Sequence, residues 1–254
     1  MLWLRNLLYW LILCLFSLIW LPVVIISLLF KGGVNWSTTF WALVLLWMLK
    51  HVVGLKYRVK GLENIPDQPS IICCKHQSGW ETLALFHFFP PLVYIAKREL
   101  FKIPIFGWAL KWAGTIGIDR SNPKAATQQI IEQGQRCKEK GYWVSIFPEG
   151  TRIKPGYRGH YKKGAGRMAQ LLHMDLVPVA LNSGEFWPKN SFLKYPGIID
   201  VVIGKSISYQ SAETPEELME LCENWIESQQ AEIQGQGPFA PKNCCIPTPY
   251  ISPK

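Results

Sequence analysis

From residue 7 to residue 30 the chain runs 24 residues without a charged side chain. At a helical rise of about 1.5 Å per residue, such a run reaches roughly 36 Å and exceeds a hydrocarbon core of about 30 Å. Pro22 lies inside it and is expected to kink it. A second uncharged stretch, residues 32–49, holds Trp36, Trp41 and Trp47 but starts polar, at Asn35, Ser37, Thr38 and Thr39. Lys31-Gly32-Gly33 between them reads as a turn. A secretory signal has an apolar region of about 7–15 residues ending in small residues. This run is longer and no Ala-x-Ala follows it, so residues 1–53 are read as a retained, membrane-anchoring helical hairpin. Arg5 precedes the hairpin, Lys50, Lys56, Arg58 and Lys60 follow it, and Lys31 alone marks its tip. That asymmetry predicts both ends of the hairpin and the main domain on the cytoplasmic side of the membrane.

After Lys50, strand-like and helix-like stretches alternate. Strands are expected at 70–74, 92–96, 115–118, 142–147, 176–181 and 198–203. Helices are expected at 80–88, 105–112, 124–140, 164–173 and 215–230. This order predicts an α/β domain over residues 54–234, with a largely parallel sheet flanked by helices, and with chemistry beyond the carboxyl ends of its strands. Residues 235–254 hold five prolines and two glycines and read as an irregular tail. With 254 residues, 49% of them hydrophobic, the chain can bury a sizeable core and is not a disordered one. Only 18% are charged, and the net charge is +9, so the partners to look for are anionic. Seven cysteines include two adjacent pairs and no Cys-x-x-Cys, which predicts free thiols and no zinc site. The tryptophans of the hairpin sit among apolar residues and suit a membrane interface better than nucleic-acid stacking.

Three polar segments follow strand-like runs. In Lys75-His76-Gln77-Ser78-Gly79-Trp80-Glu81, His76 and Glu81 stand five apart. On one continuous helix they would face different ways. With His76 in the approach loop and Glu81 in the first turn they can meet, and the carboxylate can then hold the imidazole tautomer. The rival is a capping box, Ser78-x-x-Glu81, in which Glu81 only satisfies backbone donors. The second segment presents Lys97 and Arg98 at a strand end, with Arg120 closing a Gly-rich strand from Gly114. The third is Phe147-Pro148-Glu149-Gly150-Thr151-Arg152, where Gly150 lets backbone approach a ligand and Arg152 can grip a phosphate bidentately. There is no Gly-x-Ser-x-Gly and no Walker loop.

In this order the segments resemble the four motif blocks of the glycerolipid acyltransferase family, from about residue 57 to 208. His76 and Glu81 match a His-x-x-x-x-Asp block, with Glu in place of the usual Asp. Gly114 to Arg120, with Lys97 upstream, match a Gly-rich block, and residues 147–152 match Phe-Pro-Glu-Gly-Thr-Arg intact. Val177-Pro178-Val179-Ala180 match the apolar fourth block. The resemblance implies acyl transfer from an acyl thioester, carried by CoA or by acyl-carrier protein, to the free hydroxyl of lysophosphatidic acid. His76 would be the base and Glu81 its partner, with Lys97, Arg120 and Arg152 on the acceptor phosphate and Glu149, Gly150 and Thr151 shaping that pocket. It implies no bound cofactor. Two alternatives stand beside it: a relative acting on another lysolipid, and a catalytically dead membrane lipid-binding protein.

Overall fold

The structure is a computed structural model that describes residues 1–103, 106–118 and 123–241. Two apolar helices come first, α1 (Leu2–Ser27) and α2 (Gly33–Met48). α1 continues on both sides of Pro22. The chain turns between the two, at Gly32, in the left-handed region with φ 76°. Both α1 and the stretch Gly33–Val53 are long and apolar enough to cross a membrane. Strand β1 (Leu55–Lys60) follows, then β2 (Ile71–Cys74), α3 (Trp80–Phe88) and β3 (Leu92–Lys97). A short 3-10 turn, Arg98–Lys102, leads to α4 (Phe106–Trp112) and β4 (Ile116–Ile118). The second half carries α5 (Pro123–Glu139), β5 (Trp143–Ile146), α6 (Gly164–Leu172), β6 (Leu176–Leu181), β7 (Gly197–Ile203) and α7 (Pro215–Ile233).

The seven strands form one sheet in the order β1-β7-β6-β2-β5-β3-β4. Every pairing is parallel except β6 with β7. The largely parallel sheet flanked by helices that the sequence predicts is therefore what forms. Strands β2 and β6 are buried at every residue, as strands covered on both faces must be. The pleat divides their side chains between two cores. Ile72 and Cys74 join α3 and the N-terminal hairpin, whereas Ile71 and Cys73 join α5, α6 and α7.

The hairpin shares its core with the sheet. Leu45, Leu49 and Val53 pack in one cluster with Trp80, Leu85 and Val179. At its start α2 is tied down by Asn35, whose amide donates to Leu92 O at 2.8 Å. At its foot α1 is tied by Asn6, which exchanges two hydrogen bonds with the Lys194 backbone, at 3.0 and 2.8 Å. The hairpin thus lies along the domain, with α2 inside and one apolar side of α1, including Leu11, Leu18 and Ile19, outside. Strand β1 is absent from the sequence reading. Leu55, Tyr57 and Val59 alternate with Lys56, Arg58 and Lys60, a period-two pattern that the charges obscure. Of the irregular tail, residues 235–241 are described. Gly235, Gln236 and Gly237 donate their amides to the buried Glu185 carboxylate at 2.7–2.9 Å.

Candidate active site

β2, β3, β5 and β6 all run in one direction, so their carboxyl ends open on one edge of the sheet. Each ends in a segment with chemistry. β2 leads to His76, β3 ends at Lys97, β5 leads to residues 147–152, and β6 leads to Asn182 and Ser183. β2 stands at the middle of that edge, with β6 on one side and β5 on the other, and open α/β sheets place their ligands outside the carboxyl ends of the strands.

The His76 loop is held by its main chain. Its N–H donates to Glu149 Oε2 at 2.8 Å, and its carbonyl accepts from Ile153 N at 2.7 Å. The first and third sequence segments are therefore stitched together through one residue. The imidazole stacks on Phe147, with ring centroids 3.9 Å apart, and Nδ1 lies 2.8 Å from Glu81 Oε1. A carboxylate only accepts, so Nδ1 carries the proton and the lone pair lies on Nε2. Among the described residues nothing bonds Nε2, and the side chain keeps 17% of its exposure.

Glu81 is fully buried and accepts from both the imidazole and the loop backbone. Oε1 also accepts from the amides of Gln77 and Ser78, at 2.7 and 2.6 Å, and Oε2 accepts from Ser183 Oγ at 2.7 Å. Four donors on one side chain call for a carboxylate. The capping box in its strict form does not exist. Gly79 is the N-cap of α3, and Ser78 Oγ accepts from Trp80 N at 3.0 Å. Glu81 caps the approach loop and orients the histidine at once, because that loop curls over the first turn of α3.

Behind His76 lies a buried ion network. Lys75 Nζ, wholly inaccessible, sits 3.0 Å from Glu149 Oε1 and 2.6 Å from Glu227 Oε1 on α7. Tyr161 donates its hydroxyl to the same Glu227 oxygen at 2.9 Å. Burial pulls the Lys75 ammonium down, but the two carboxylates outweigh it and hold its pKa above the ordinary lysine value. Burial pushes the Glu149 carboxyl up, and Lys75 and the His76 amide draw it back only in part. Glu149 thus points inward. The sequence reading puts it against substrate; its buried contacts are Lys75 and the His76 backbone instead.

The other predicted residues divide. Gly150 adopts φ 69°, the left-handed turn its lack of a Cβ permits. Thr151 and Arg152 are half-buried, and Lys97 is exposed at the end of β3. Arg120 lies outside the described residues. Thr151 Oγ1 accepts from Lys189 Nζ at 3.1 Å, so a cation that sequence reasoning missed stands at Thr151. Ser183 and Lys75 were missed too. Ser183 could have been suspected from its place just past β6, whereas Lys189 carries no local signal. Among the described residues no group of three or more His, Cys, Asp or Glu could hold a metal ion.

Residues 56–182 match the family model described as Acyltransferase. The chain is 42% identical over 235 residues to 1-acyl-sn-glycerol-3-phosphate acyltransferase of Pseudomonas aeruginosa, covering 90% of this chain and 91% of that one. The chain belongs to this acyltransferase family. The acyltransferase is also 34% identical over 166 residues to chloroplastic 1-acyl-sn-glycerol-3-phosphate acyltransferase LPAT1 of Arabidopsis thaliana, matching 62% of this chain and 45% of that one. Its fold is similar to the crystal structure of the 1-acyl-sn-glycerophosphate (LPA) acyltransferase, PlsC, from Thermotoga maritima. That match has a TM-score of 0.75 at 24% identity and covers 91% of this chain and 97% of the other. The matched residues of the family model hold the whole His76–Glu81–Glu149 assembly of this acyltransferase, while Ser183 stands just past them.

Proposed function

We propose that the chain is a 1-acyl-sn-glycerol-3-phosphate acyltransferase, moving a fatty acyl group from an acyl thioester to the free hydroxyl of lysophosphatidic acid and so making phosphatidic acid for phospholipids. The observation that carries the chemistry is the His76–Glu81 pair, with Nδ1 pinned and Nε2 outward. Nε2 takes the proton of the acceptor hydroxyl as that oxygen attacks the thioester carbonyl. Glu81 keeps the tautomer and stabilises the imidazolium. The tetrahedral intermediate then collapses, the carbon–sulfur bond breaks, and the imidazolium returns its proton to the leaving thiolate. Acyl transfer is direct, and the protein contributes no nucleophile.

Arg152 and Lys97 receive the acceptor phosphate, and Lys189 holds Thr151 next in the chain to Arg152. Glu149 is a positioning residue for His76. The hairpin anchors the enzyme to the cytoplasmic face of the inner membrane. Because α2 is bonded at its start and buried at Met48 near its end, the hairpin stays beside the domain, where a lysolipid can enter sideways. Support comes from the 42% identity to the Pseudomonas protein over nearly the whole chain, and from the exposed apolar side chains of α1, among them Leu11, Leu18 and Ile19.

The test is acyl transfer by purified protein with lysophosphatidic acid and each donor, alongside His76→Ala. A general base contributes about 10²–10⁴ in rate, so the variant should fold and lose turnover on that scale. Wild-type turnover by His76→Ala would remove the mechanism. A tag at Lys254 that external protease reaches in intact spheroplasts would overturn the orientation.

A further inference from the structure

A cleft of about 760 Å³ lies along edge strand β4, between α4, α5 and the turn Arg98–Lys102. Its size is that of a small-molecule site, for which about 300–1,000 Å³ is usual. Val93, Ile116 and Cys137, all buried, form the floor. Lys111 of α4, Arg136 of α5, Lys140 just past the end of α5, and Arg98 all line it. No carboxylate lines it among the described residues. An apolar floor under a cationic rim suits a flat aromatic group bearing several negative charges.

Two placements narrow the ligand. The floor residues belong to the core of α5, α6 and α7, on the face of the sheet opposite the hairpin. An acceptor lipid arriving along the hairpin meets the other face. The cleft also ends beside the catalytic edge. Arg98 follows Lys97, the last residue of β3, and only β5 separates β3 from β2. At about 4.8 Å per strand those strand ends are about 10 Å apart. Tyr94, next to Val93 but on the catalytic face, stacks on Phe147, which stacks on His76.

We infer that this cleft binds the 3′-phosphoadenosine diphosphate end of an acyl-CoA donor, so that the pantetheine arm passes over the end of β3 and delivers the thioester to His76. The inference rests on the proposed acyl-thioester chemistry. A concave site of this size fits a nucleotide better than an acidic carrier protein, which would need a broad surface of roughly 800 Å². The bilayer acceptor and the water-soluble donor then approach from opposite faces and meet at the carboxyl edge.

The experiment uses the full chain in detergent and the variant Arg136→Glu/Lys140→Glu, with Arg136→Gln/Lys140→Gln should the charge reversal not fold. Calorimetric binding of adenosine 3′,5′-bisphosphate should weaken, and KM for acyl-CoA should rise about 10-fold or more, the scale of losing hydrogen bonds to charged groups. KM for lysophosphatidic acid and for S-acyl-pantetheine, which lacks the nucleotide, should not move. Unchanged nucleotide binding and acyl-CoA KM in a folded variant would overturn the inference. So would an equal rise with S-acyl-pantetheine, or a rise confined to acyl-carrier protein, which would mark a protein-docking surface. The binding arm involves no acceptor. Nucleotide binding that is lost in the variant, in a protein that never acylates lysophosphatidic acid, would sink the proposed function and leave the cleft standing.

Discussion

Glu81 sits where two demands on one side chain cannot be separated by charge alone. Three donors converge on Oε1 and one on Oε2. In Glu81→Gln the amide oxygen can still accept at the first position, and Ser183 can turn its hydroxyl to accept at the second. The loss is the negative charge that stabilises imidazolium. Turnover should therefore fall about 10²-fold or more, with a melting temperature close to wild type. Ser183→Ala removes a hydrogen bond to the carboxylate, costing about 1.5–3 kcal/mol of stability, and should slow turnover less than Glu81→Gln. Kinetics and melts of the two variants check this, and a Glu81→Gln enzyme at full speed would leave His76 without its partner. Lys75 makes a different prediction. Lys75→Met leaves Glu149 and Glu227 facing each other without a cation, at a cost of about 3–5 kcal/mol. The Glu149 carboxyl is already raised in the fold, and losing its cation raises it further. A carboxyl raised in the folded state contributes stability below its unfolded pKa that is lost as pH rises through the folded value. The deficit should be larger at pH 8 than at pH 5 by denaturant unfolding, and adding Glu149→Gln should recover part of it. A deficit equal at both pH values would show that the network is not ionised as drawn.

Among the elements, α1 depends on a contact that its own sequence does not foretell. Lys194 Nζ, fully buried, lies over the rings of Trp10 at 3.8 Å, Trp187 at 4.5 Å and Tyr9 at 4.8 Å. Among the described residues its one hydrogen bond runs to Phe192 O at 3.1 Å. The aromatic faces favour the cation, but burial without a carboxylate pushes its pKa down to about 7. The unfolded chain, with lysine near 10.4, then binds more protons than the folded one between those values. Stability should rise with pH from about 7 toward 10, and Lys194→Met should raise the melting temperature at pH 7 and flatten that slope. A slope unchanged by the substitution would place the titration elsewhere. α7, by contrast, announces itself: Thr214 accepts from Glu217 N at 3.2 Å, Glu217 reaches back to Thr214 N at 3.2 Å, and Pro215 opens the helix.

For the molecule as a whole, the hairpin is part of the core. Ala42, Leu45 and Leu46 of α2 cover α3, and their removal would bare Leu83, Leu85 and Phe86. Deleting residues 1–53 should therefore yield an aggregated protein and not a soluble enzyme, as size-exclusion chromatography would read directly. A monomeric, active truncation would show that the domain closes its core without the hairpin. The mixed sheet follows from the same packing. β7 is antiparallel to β6 and parallel to β1, so the added pair extends the sheet on the side away from the cleft and carries Asp200 against Arg58.

The sequence by itself determined the parts that depend on near neighbours. Continuous apolar runs marked β2 and β6, helix-like stretches placed α3 and α7, and a 24-residue uncharged run marked the hairpin. It also named His76 and Glu81, because strand, loop and first turn occur within eleven residues of one another in the chain. It left β1 unread because alternating lysines and arginines there look like a charged flank. Only the tertiary structure decided that Glu149 supports the His76 backbone, that Ser183 completes the grip on Glu81, and that Lys75 and Glu227 share a buried ion network. Those contacts join residues 73, 102 and 152 positions apart. No local period encodes such pairings; the parallel crossovers that bring four strand ends to one edge create them.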